Sequence, residues 1–390
     1  MIFAPHSEDE LVDCVRTARA RKSALRIVGG GTRQALGRPV APPATLSTKN
    51  LAGVTLYEPG EMVVAARAGT PLADVESLVA AHDQMLPFAP MDHRRLLASA
   101  GASTIGAVAA CAISGSRRIS HGAARDSLIG VRFVNGLAQA IKSGGRVMKN
   151  VTGLDLVKLQ AGAFGALGVL SEVTFKLLPR PESAATLVLR GLDDTRAVDA
   201  LSRGLGSPFE VSGAAHLPAG VGAESARTLL RIENFADSVA YRLGELQKIV
   251  GAGEVLDDAA TASLWCDIGD VAFFAGDGRV VWRVSTAPSR APDFVRLAQR
   301  AGPLAHFYDW GGGLVWLAMS AEGDAGAGMV RAVVAQVGGH ATLVRAPADV
   351  RARVDVFQPL PASVMRLQRA LKASFDPDRL FNPGLMYDGV

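Results

Sequence analysis

The sequence predicts an α+β protein whose 390 residues form more than one domain. Helices with capping signals and strands with alternating polarity follow one another up to Pro179-Arg180-Pro181, and a new series of strands and helices starts after it. Hydrophobic residues make up 49% of the chain and charged residues 20%, which is enough to build real cores. We expect a first domain at residues 1–180, an α/β unit at residues 181–345, and a C-terminal segment at residues 346–390 that returns to the first domain.

Charge is distributed unevenly along the chain. Residues 1–180 carry 21 Lys and Arg against 13 Asp and Glu, a formal charge of +8, whereas residues 181–390 carry 20 against 24, a charge of −4. A basic first half suits an anionic cofactor or substrate. The sequence has no Lys and Arg run with interleaved aromatic residues, so we do not expect nucleic acid as a partner.

Three cysteines lie far apart in the sequence, at Cys14, Cys111 and Cys266. Their spacing encodes neither a disulfide framework nor a zinc or iron–sulfur site, and we expect Cys14 and Cys111 to be small core residues. The N-terminal residues lack the pattern of a signal peptide, and no apolar run approaches the ~18 residues that suggest a membrane span. These features predict a cytoplasmic protein without a membrane-spanning segment.

The first motif is a strand that runs straight into a glycine-rich loop. A helix that Ser7 is predicted to cap precedes the strand Leu25–Val28, and the loop that follows contains Gly29, Gly30, Gly31 and Thr32. Glycines permit positive φ and expose main-chain N–H groups, a combination that holds anions. The loop matches neither GxGxxG nor GxxxxGK[ST], so a Rossmann dinucleotide unit and a P-loop are both poorly supported.

Small residues dominate the stretch from residue 102 to residue 126. A helix that begins among small residues offers unpaired N–H groups and a positive dipole end, which suit an anionic group such as a pyrophosphate. Tight helix packing in a core explains the same pattern equally well, so the residues alone leave both interpretations open. The candidate positions are Ala102, Ser103, Thr104, Ile105 and Gly106 at the start of the stretch, and Ser114, Gly115, Arg125 and Asp126 further along.

The remaining elements follow from capping, turn and alternation patterns. Thr70 as N-cap with Pro71 at the first helical position starts a helix, and Asn135-Gly136 predicts a type I′ hairpin between strands at 129–134 and 137–141. Asp155 is expected to cap a short helix over 156–160, and residues 169–178 alternate as a strand. Further strands are expected near 62–66, 185–190, 228–232, 280–284, 313–318 and 340–344, and further helices near 195–204, 237–250 and 362–374.

Four motifs occur in a fixed order along nearly the whole chain: RIVGGGT at 26–32, ASTIGAVAACAISG at 102–115, KNVTGLDLVKLQAGAFGALGVLSEVTFKLLPRP at 149–181, and FDPDRLFNPG at 375–384. Together they resemble the FAD-binding domain of the vanillyl-alcohol-oxidase family, also called the PCMH type. Within that family, the SGSRR and VMKNVTGLDL segments resemble the FAD-binding E subunits of glycolate oxidases. The resemblance implies a PCMH-type FAD-binding domain with an α/β cap domain.

The resemblance also implies FAD as the cofactor and a role for each candidate residue. The loop of some relatives carries a His that binds FAD covalently; here it reads GGGTRQ without His or Cys, which implies non-covalent FAD. Val169 and Leu170 would line the adenine or ribose side, although a plain core role is equally open for both. The implied pyrophosphate contacts are Val28, Gly29, Gly30, Gly31, Thr32, Ala102, Ser103, Thr104, Ile105 and Gly106; Ser114, Gly115, Arg125, Asp126 and Asn382 would contact other parts of the cofactor.

No catalytic residue and no metal ligand follow from the sequence. D-2-hydroxyacid dehydrogenases of this fold carry the metal motif HxGDGNxH, whereas the comparable region here starts at His306 and contains no second His. A lone histidine of this kind is more typical of a satisfied structural residue than of a ligand. His121 and Arg118 are candidates for positions near the flavin, although a role in the cofactor domain alone is the simpler interpretation.

The resemblance implies a function and a set of partners. The chain would be the FAD-binding subunit of a glycolate oxidase complex that oxidises glycolate, a 2-hydroxy acid, to glyoxylate and passes electrons through the flavin to a partner iron–sulfur subunit. A sister FAD subunit would complete the complex, and membrane association would come through these partners. Two alternatives stay open: a non-catalytic structural or electron-relay FAD subunit, and a stand-alone FAD-dependent oxidoreductase acting on a hydroxy acid or alcohol.

Overall fold

The computed structural model of the chain describes residues 1–145 and 153–390. Within these residues the main chain forms two large β-sheets, one built from strands between residues 54 and 176 and the other from strands between residues 183 and 345. The predicted mixture of helices and strands is confirmed. Residues 149–152 of the third motif lie outside the described residues. No helix of the described part of the chain is long and apolar enough to cross a membrane.

Short strands and short helices make up the first half of the chain. The helix that Asp155 was expected to cap is confirmed, because its carboxylate accepts a hydrogen bond from the main-chain N–H of Lys158. The strands are β1 (Ile2–Phe3), β2 (Leu25–Val28), β3 (Ala44–Ser47), β4 (Val54–Glu58), β5 (Val63–Arg67), β6 (Gln84–Met85), β7 (Leu128–Val134), β8 (Ala140–Gly144), β9 (Val169–Lys176) and β10 (Leu178–Pro179). The helices are α1 (Glu8–Ala20), α2 (Leu72–Ala80), α3 (Arg94–Leu97), α4 (Ile105–Cys111), α5 (Arg118–His121), α6 (Ala124–Ser127) and α7 (Leu156–Gln160).

An antiparallel sheet with the order β4-β5-β9-β7-β8 lies at the centre of the first half, and β1, β3 and β2 form a separate parallel sheet. Helix α1 joins the two. Its apolar face, Leu11, Val15 and Ala18, is fully buried in one cluster with residues of β3, β7 and β9. The predicted N-cap is confirmed, since the Ser7 hydroxyl accepts a hydrogen bond from the N–H of Glu10. Helix α1 is thus buried against strands of both sheets, and this contact positions β2 and the glycine loop that follows it.

Helices α2 and α4 cover the face of the antiparallel sheet that α1 does not. Val75 of α2 and Val108 of α4 are fully buried in a cluster with Val173 and Phe175 of β9. Each fully buried side chain of this size contributes roughly 1.5–3 kcal/mol. This packing places the start of α4 beside the end of β2, and it therefore brings the second glycine motif next to the first.

The second half of the chain forms one antiparallel sheet with helices packed on it. The sheet order among the described residues is β14-β11-β13-β12-β16-β17-β15-β18. Its strands are β11 (Ser183–Arg190), β12 (Gly213–Leu217), β13 (Arg227–Asn234), β14 (Glu254–Leu256), β15 (Val280–Ser285), β16 (Leu304–Asp309), β17 (Leu314–Met319) and β18 (His340–Arg345). Its helices are α8 (Asp194–Leu205), α9 (Ala236–Val250), α10 (Asp258–Gly269), α11 (Ala291–Gln299) and α12 (Ala327–Val337). Strands β12, β14 and β16 and helices α10 to α12 were not among the expected elements.

The last part of the chain contains α13 (Ala348–Arg353) and α14 (Ala362–Phe375) and then runs alongside β2. The N–H of Leu25 donates to the carbonyl of Leu380 at 2.6 Å, and the N–H of Asn382 donates to the carbonyl of Leu25 at 2.9 Å. The end of the chain therefore lies beside the strand that leads into the first glycine loop.

Two local predictions were wrong in detail. The N-cap of α2 is Pro71 rather than Thr70, because the Thr70 hydroxyl donates to the carbonyls of Arg67 and Gly53 and so ties two loops together. The hairpin β7–β8 exists, but its turn is not the predicted two-residue type I′ turn. The Asn135 carboxamide accepts from the N–H groups of residues 137 and 139, and the positive φ is at Ala138.

Lys372 and Asp376 form an ion pair inside the protein. The two side chains are 1% and 0% exposed, with Nζ 2.8 Å from the carboxylate. The Lys372 ammonium also donates to the carbonyls of Ala166 and Phe381, and Asp376 accepts from the N–H groups of residues 380 and 381. One pair thus fastens α14 and the final segment to the rest of the first half.

We expect Lys372→Met to lower the free energy of unfolding by about 3–5 kcal/mol, because it leaves the Asp376 carboxylate buried without its cation. Urea denaturation followed by circular dichroism measures the loss. The control is Arg353→Met, which breaks the exposed pair of Arg353 with Asp349 and is expected to cost at most about 1 kcal/mol. Equal losses in the two variants would contradict the expectation.

Candidate functional site

A cleft of about 840 Å³ opens where the first glycine loop meets α4 and the end of the chain. Its walls come from the end of β2, from α4, from the loop before β9 and from the final segment. Of the site residues predicted from sequence, those that line this cleft are Val28, Gly29, Gly30, Gly31, Thr32, Gly106, Leu170 and Asn382.

The first glycine loop presents unused main-chain donors. Among the described residues, no main-chain N–H from Gly29 to Arg33 donates a hydrogen bond. Gly31 has a φ of +83°, a conformation that a side chain would strain. Successive N–H groups in such a turn form a concave site for an anion. The loop therefore has main-chain donors available for an anion.

The two glycine motifs touch through their main chains. A Cβ on Gly30 would lie 1.6 Å from the carbonyl oxygen of Ala102, and a Cβ on Gly29 would lie 2.5 Å from the Thr104 hydroxyl. Ala102 and Thr104 thus stand directly behind the first loop. Ser103 belongs to the same contact, because its hydroxyl accepts a hydrogen bond from Arg33 at 2.8 Å.

The start of α4 differs from the sequence-based expectation of free N–H groups. The N–H of Ile105 donates to the Thr70 carbonyl at 3.0 Å, and that of Gly106 donates to the Ala68 carbonyl at 2.9 Å. The N–H of Ala107 donates to the hydroxyl of Thr104, which caps the helix. Neighbouring segments already use these donors because α4 packs tightly on β5. Within the described residues, the free donors are those of the first loop.

Asn382 closes the cleft from the C-terminal side. Its side-chain oxygen accepts from the N–H of Ile27 at 2.9 Å, and its amide nitrogen donates to the carbonyl of Phe164 at 2.8 Å. Its φ of +43° belongs to the left-handed region, which asparagine tolerates better than most residues. The side chain therefore joins the end of β2, the loop before β9 and the final segment at one point.

The other predicted site residues lie elsewhere. Val169 is 0% exposed within the α1 cluster, because alternation along β9 turns only Leu170 toward the cleft. The Ser114 hydroxyl accepts from the N–H of Ala124, and Asp126 accepts from the N–H of Ala123. Arg125 is exposed and offers its carbonyl to Lys158. Gly115 lines a second, larger cleft between the two halves of the chain.

Several cleft residues were missed at the sequence level, among them three with chemically distinctive side chains. Arg33 is 9% exposed, and burial lowers the pKa of its guanidinium. Phe164 precedes Gly165 in the third motif and lines the cleft. Cys111, expected in the core, also lines it, and burial raises the pKa of its thiol to about 11, so the thiol stays protonated at neutral pH. Small residues surround each of the three in the sequence, and this pattern indicates a loop or a tight contact without pointing to these side chains.

Two guanidinium groups contact the ring of Trp310 at the junction of the two halves. The Arg118 carbon Cζ lies 4.4 Å from the ring centre of Trp310, and that of Arg283 lies 5.0 Å from it. In the described part of the chain, neither guanidinium forms a hydrogen bond or a salt bridge, but the charge of the nearby Asp309 acts on Arg283. Burial, followed by the charge of Arg118, lowers the pKa of Arg283 to about 10. Both cations contact the same indole, and the charge of Asp309 partly offsets the lowering of the Arg283 pKa.

Histidines near these guanidiniums report the same positive field. Burial lowers the pKa of His340, and the charges of Arg283 and Arg118 lower it further. Burial lowers the pKa of His93 to about 3, with further lowering from Arg33 and Arg283. Both imidazoles therefore favour the neutral form.

His306 is bonded within the second half of the chain. Its Nε2 lies 2.9 Å from the carboxylate of Asp194, which also accepts from the Tyr308 hydroxyl at 2.8 Å. A second histidine, His216, approaches the same carboxylate at 3.5 Å, although it is distant in the sequence. Among the described residues, no group of three or more His, Cys, Asp or Glu side chains has an arrangement that could hold a metal ion.

The comparisons with known proteins agree with this geometry. Residues 1–144 match the family model described as an FAD-binding domain. The chain is 32% identical to glycolate oxidase subunit GlcE of Escherichia coli (strain K12) over 97% of this chain and 96% of that protein.

The chain belongs to the family of glycolate oxidase subunit GlcE.

More distant relatives fit the same assignment. Glycolate oxidase subunit GlcD of Bacillus subtilis (strain 168) is 33% identical over 31% of this chain and 24% of its own length. The solved structure of p-cresol methylhydroxylase with substrate bound has a TM-score of 0.74 at 13% identity, covering 99% of this chain and 88% of that chain. The predicted PCMH-type α+β fold, FAD as cofactor and the FAD-dependent oxidoreductase class are thus confirmed.

We expect Gly30→Ala to weaken FAD binding by about tenfold or more, because the added methyl group must push the Ala102 loop away. Titration of the flavin-free protein with FAD, followed by flavin fluorescence, measures the affinity. The control is Gly60→Ala, where a Cβ meets nothing within 4 Å. An unchanged affinity in Gly30→Ala would show that the two loops do not jointly form the cofactor site.

Proposed function

We propose that the chain is the FAD-binding subunit of a glycolate oxidase complex and that it binds a short 2-hydroxy acid itself. The observation that carries the substrate part is the unpartnered guanidinium pair of Arg118 and Arg283 beside Trp310. When bound, FAD supplies an acceptor for the hydride that leaves the substrate α-carbon. The names of the GlcE and GlcD relatives support glycolate as the substrate and a multi-subunit assembly.

The proposed cofactor site is the glycine cleft. The N–H groups of Gly29 to Thr32 would hold the pyrophosphate, Leu170 would contact an apolar part of the cofactor, and Asn382 would hold the walls together. Ala102 to Gly106 would support the first loop from behind. FAD contacts by Ser114, Gly115, Arg125, Asp126 and Val169 stay predictions. The loop GGGTRQ contains no His or Cys, which supports non-covalent binding.

Acid precipitation of the FAD-loaded protein is expected to release all of the flavin into the supernatant, because the first loop contains no His or Cys to attach it. Absorbance of the supernatant and of the redissolved pellet measures the two fractions. Flavin that stays with the denatured chain would contradict non-covalent binding.

The proposed substrate site uses the two guanidiniums for the carboxylate. An arginine fork matches the two oxygens of a carboxylate, and the low exposure around Arg283 strengthens the charge interaction. The indole of Trp310 keeps both cations in place and limits the room beside them. A small 2-hydroxy acid would be anchored at its carboxylate, which leaves its α-carbon free for oxidation.

Electrons would leave through partner subunits. The three cysteines lie far apart in the sequence and encode no cluster-binding spacing. An iron–sulfur subunit and a sister flavoprotein of the GlcD type are the proposed carriers. The chain would reach a membrane through these partners and would otherwise stay in the cytoplasm.

Arg283→Met is expected to weaken oxalate binding to the FAD-loaded protein by about tenfold or more, since it removes half of the carboxylate site. Oxalate is a two-carbon carboxylate probe, and its binding is measured from the change in flavin absorbance. Arg300→Met, an exposed position of the second half, is the control and is expected to bind oxalate like the wild type.

Wild-type protein that holds FAD but shows no spectral response to oxalate, alone or with its partner subunits, would overturn the substrate part of the proposal. The chain would then be an electron-relay or structural FAD subunit. Turnover of glycolate by the isolated chain with an artificial acceptor would instead favour a stand-alone oxidoreductase.

A further inference from the structure

Several residues of the segment Gly115–Ser120, here called the seam, form hydrogen bonds with the second half of the chain. The Trp310 indole N–H donates to the carbonyl of Gly115 at 3.1 Å, and the Ser116 hydroxyl donates to the carboxylate of Asp309 at 2.7 Å. The Ser120 hydroxyl donates to the carbonyl of Ser212 at 3.2 Å. The seam thus belongs to the first half by sequence and is positioned by the second half.

Arg117 makes the strongest of these contacts. Its Nε donates to a carboxylate oxygen of Glu233 on β13 at 3.1 Å, and a terminal nitrogen donates to the other oxygen. The Arg117 side chain is 19% exposed and that of Glu233 is 6% exposed. A bidentate pair with so little water around it fixes the direction of the arginine as well as its distance.

Glu233 is itself held in place. The Nε of Arg231 lies 3.1 Å from the same carboxylate, and the Arg231 guanidinium lies 4.6 Å from the ring centre of Trp265. Burial raises the pKa of Glu233, but the charges of Arg231 and Arg117 outweigh it and hold the pKa at about 2. The carboxylate therefore stays charged throughout the neutral range, and Arg117 has a permanent partner.

Arg118 is the neighbour of Arg117 and differs from it. Ser116 and Arg117 form hydrogen bonds with the second half, whereas the Arg118 guanidinium lies over Trp310 and makes no hydrogen bond or ion pair among the described residues. A side chain whose preceding residues are fixed loses less freedom when it binds a ligand. The arrangement leaves one cation of the seam available and holds the residues next to it.

We propose that Glu233 is a positioning residue that acts through Arg117 to hold Arg118 at the carboxylate site. The inference rests on the proposed function, because it concerns the same guanidinium pair. Glu233 touches neither substrate nor cofactor in this arrangement. Its effect is to keep the seam against the second half, so that Arg118 and Arg283 face one carboxylate together.

The test is Glu233→Gln in the FAD-loaded full-length protein. This variant keeps the shape of the side chain and removes its charge, and we expect oxalate binding to weaken by about tenfold with an unchanged FAD content. With the complete complex, KM for glycolate is expected to rise while kcat stays within about twofold, since the contact affects binding of the carboxylate rather than the reacting carbon.

A matched control exists in the first half. Glu8 accepts a bidentate pair of hydrogen bonds from Arg132 and a further one from the Ser171 hydroxyl. Glu8→Gln therefore removes the same kind of charge pair away from the seam. It is expected to leave oxalate affinity unchanged while lowering stability, so a general loss of stability is separated from a positioning effect.

A second variant covers the case in which Glu233→Gln does not fold. Arg117→Lys keeps the positive charge and loses the bidentate geometry, and it is expected to give an intermediate loss of oxalate affinity. Wild-type oxalate affinity in either folded variant overturns the positioning role while the proposed function stands. Absence of oxalate binding in the wild type overturns both.

Discussion

The close approach of two main-chain segments controls the first half of the structure. Gly30 and Ala102 meet so closely that no side chain fits between them, and this contact requires the tight packing of α4 on β5. In the described part of the chain, the N–H groups of the first loop have no hydrogen-bond acceptor, and the loop itself lines the cleft. The same packing uses the donors at the start of α4. Anion binding and helix packing are thus divided between two adjacent loops.

Local sequence patterns predicted about half of the elements in each half of the chain. The strand Leu25–Val28 and the helix after Ser7 were predictable because turn glycines and a capping box mark their ends. Strand β12 has the sequence GAAHL, whose small residues have a weak strand preference, and it is specified by pairing with β13 and β16. The turn after β7 was misjudged because Asp376 fills the space beside Gly136 and a side chain bonds the turn.

The two parts of the candidate site also differ in how clearly the sequence indicates them. A glycine motif indicates the proposed pyrophosphate loop, because glycine adopts the positive φ of this turn without strain and leaves room for the Ala102 carbonyl. No local sequence pattern indicates the guanidinium pair. Arg118 and Arg283 lie far apart in the sequence, and both contact Trp310 only in the folded chain. Single arginines in a basic chain do not stand out. Sequence therefore predicted the cofactor, whereas the proposed anion site follows only from the three-dimensional packing.

The bonds of Asn382 have a consequence for biosynthesis. This residue is 355 positions from Ile27, whose N–H it accepts, so both walls of the cofactor cleft exist only after almost the entire chain has been made. At roughly 5–20 residues per second, the glycine loop waits on the order of 20–70 s for its partner. On the proposed assignment of this cleft, FAD binds a nearly finished polypeptide.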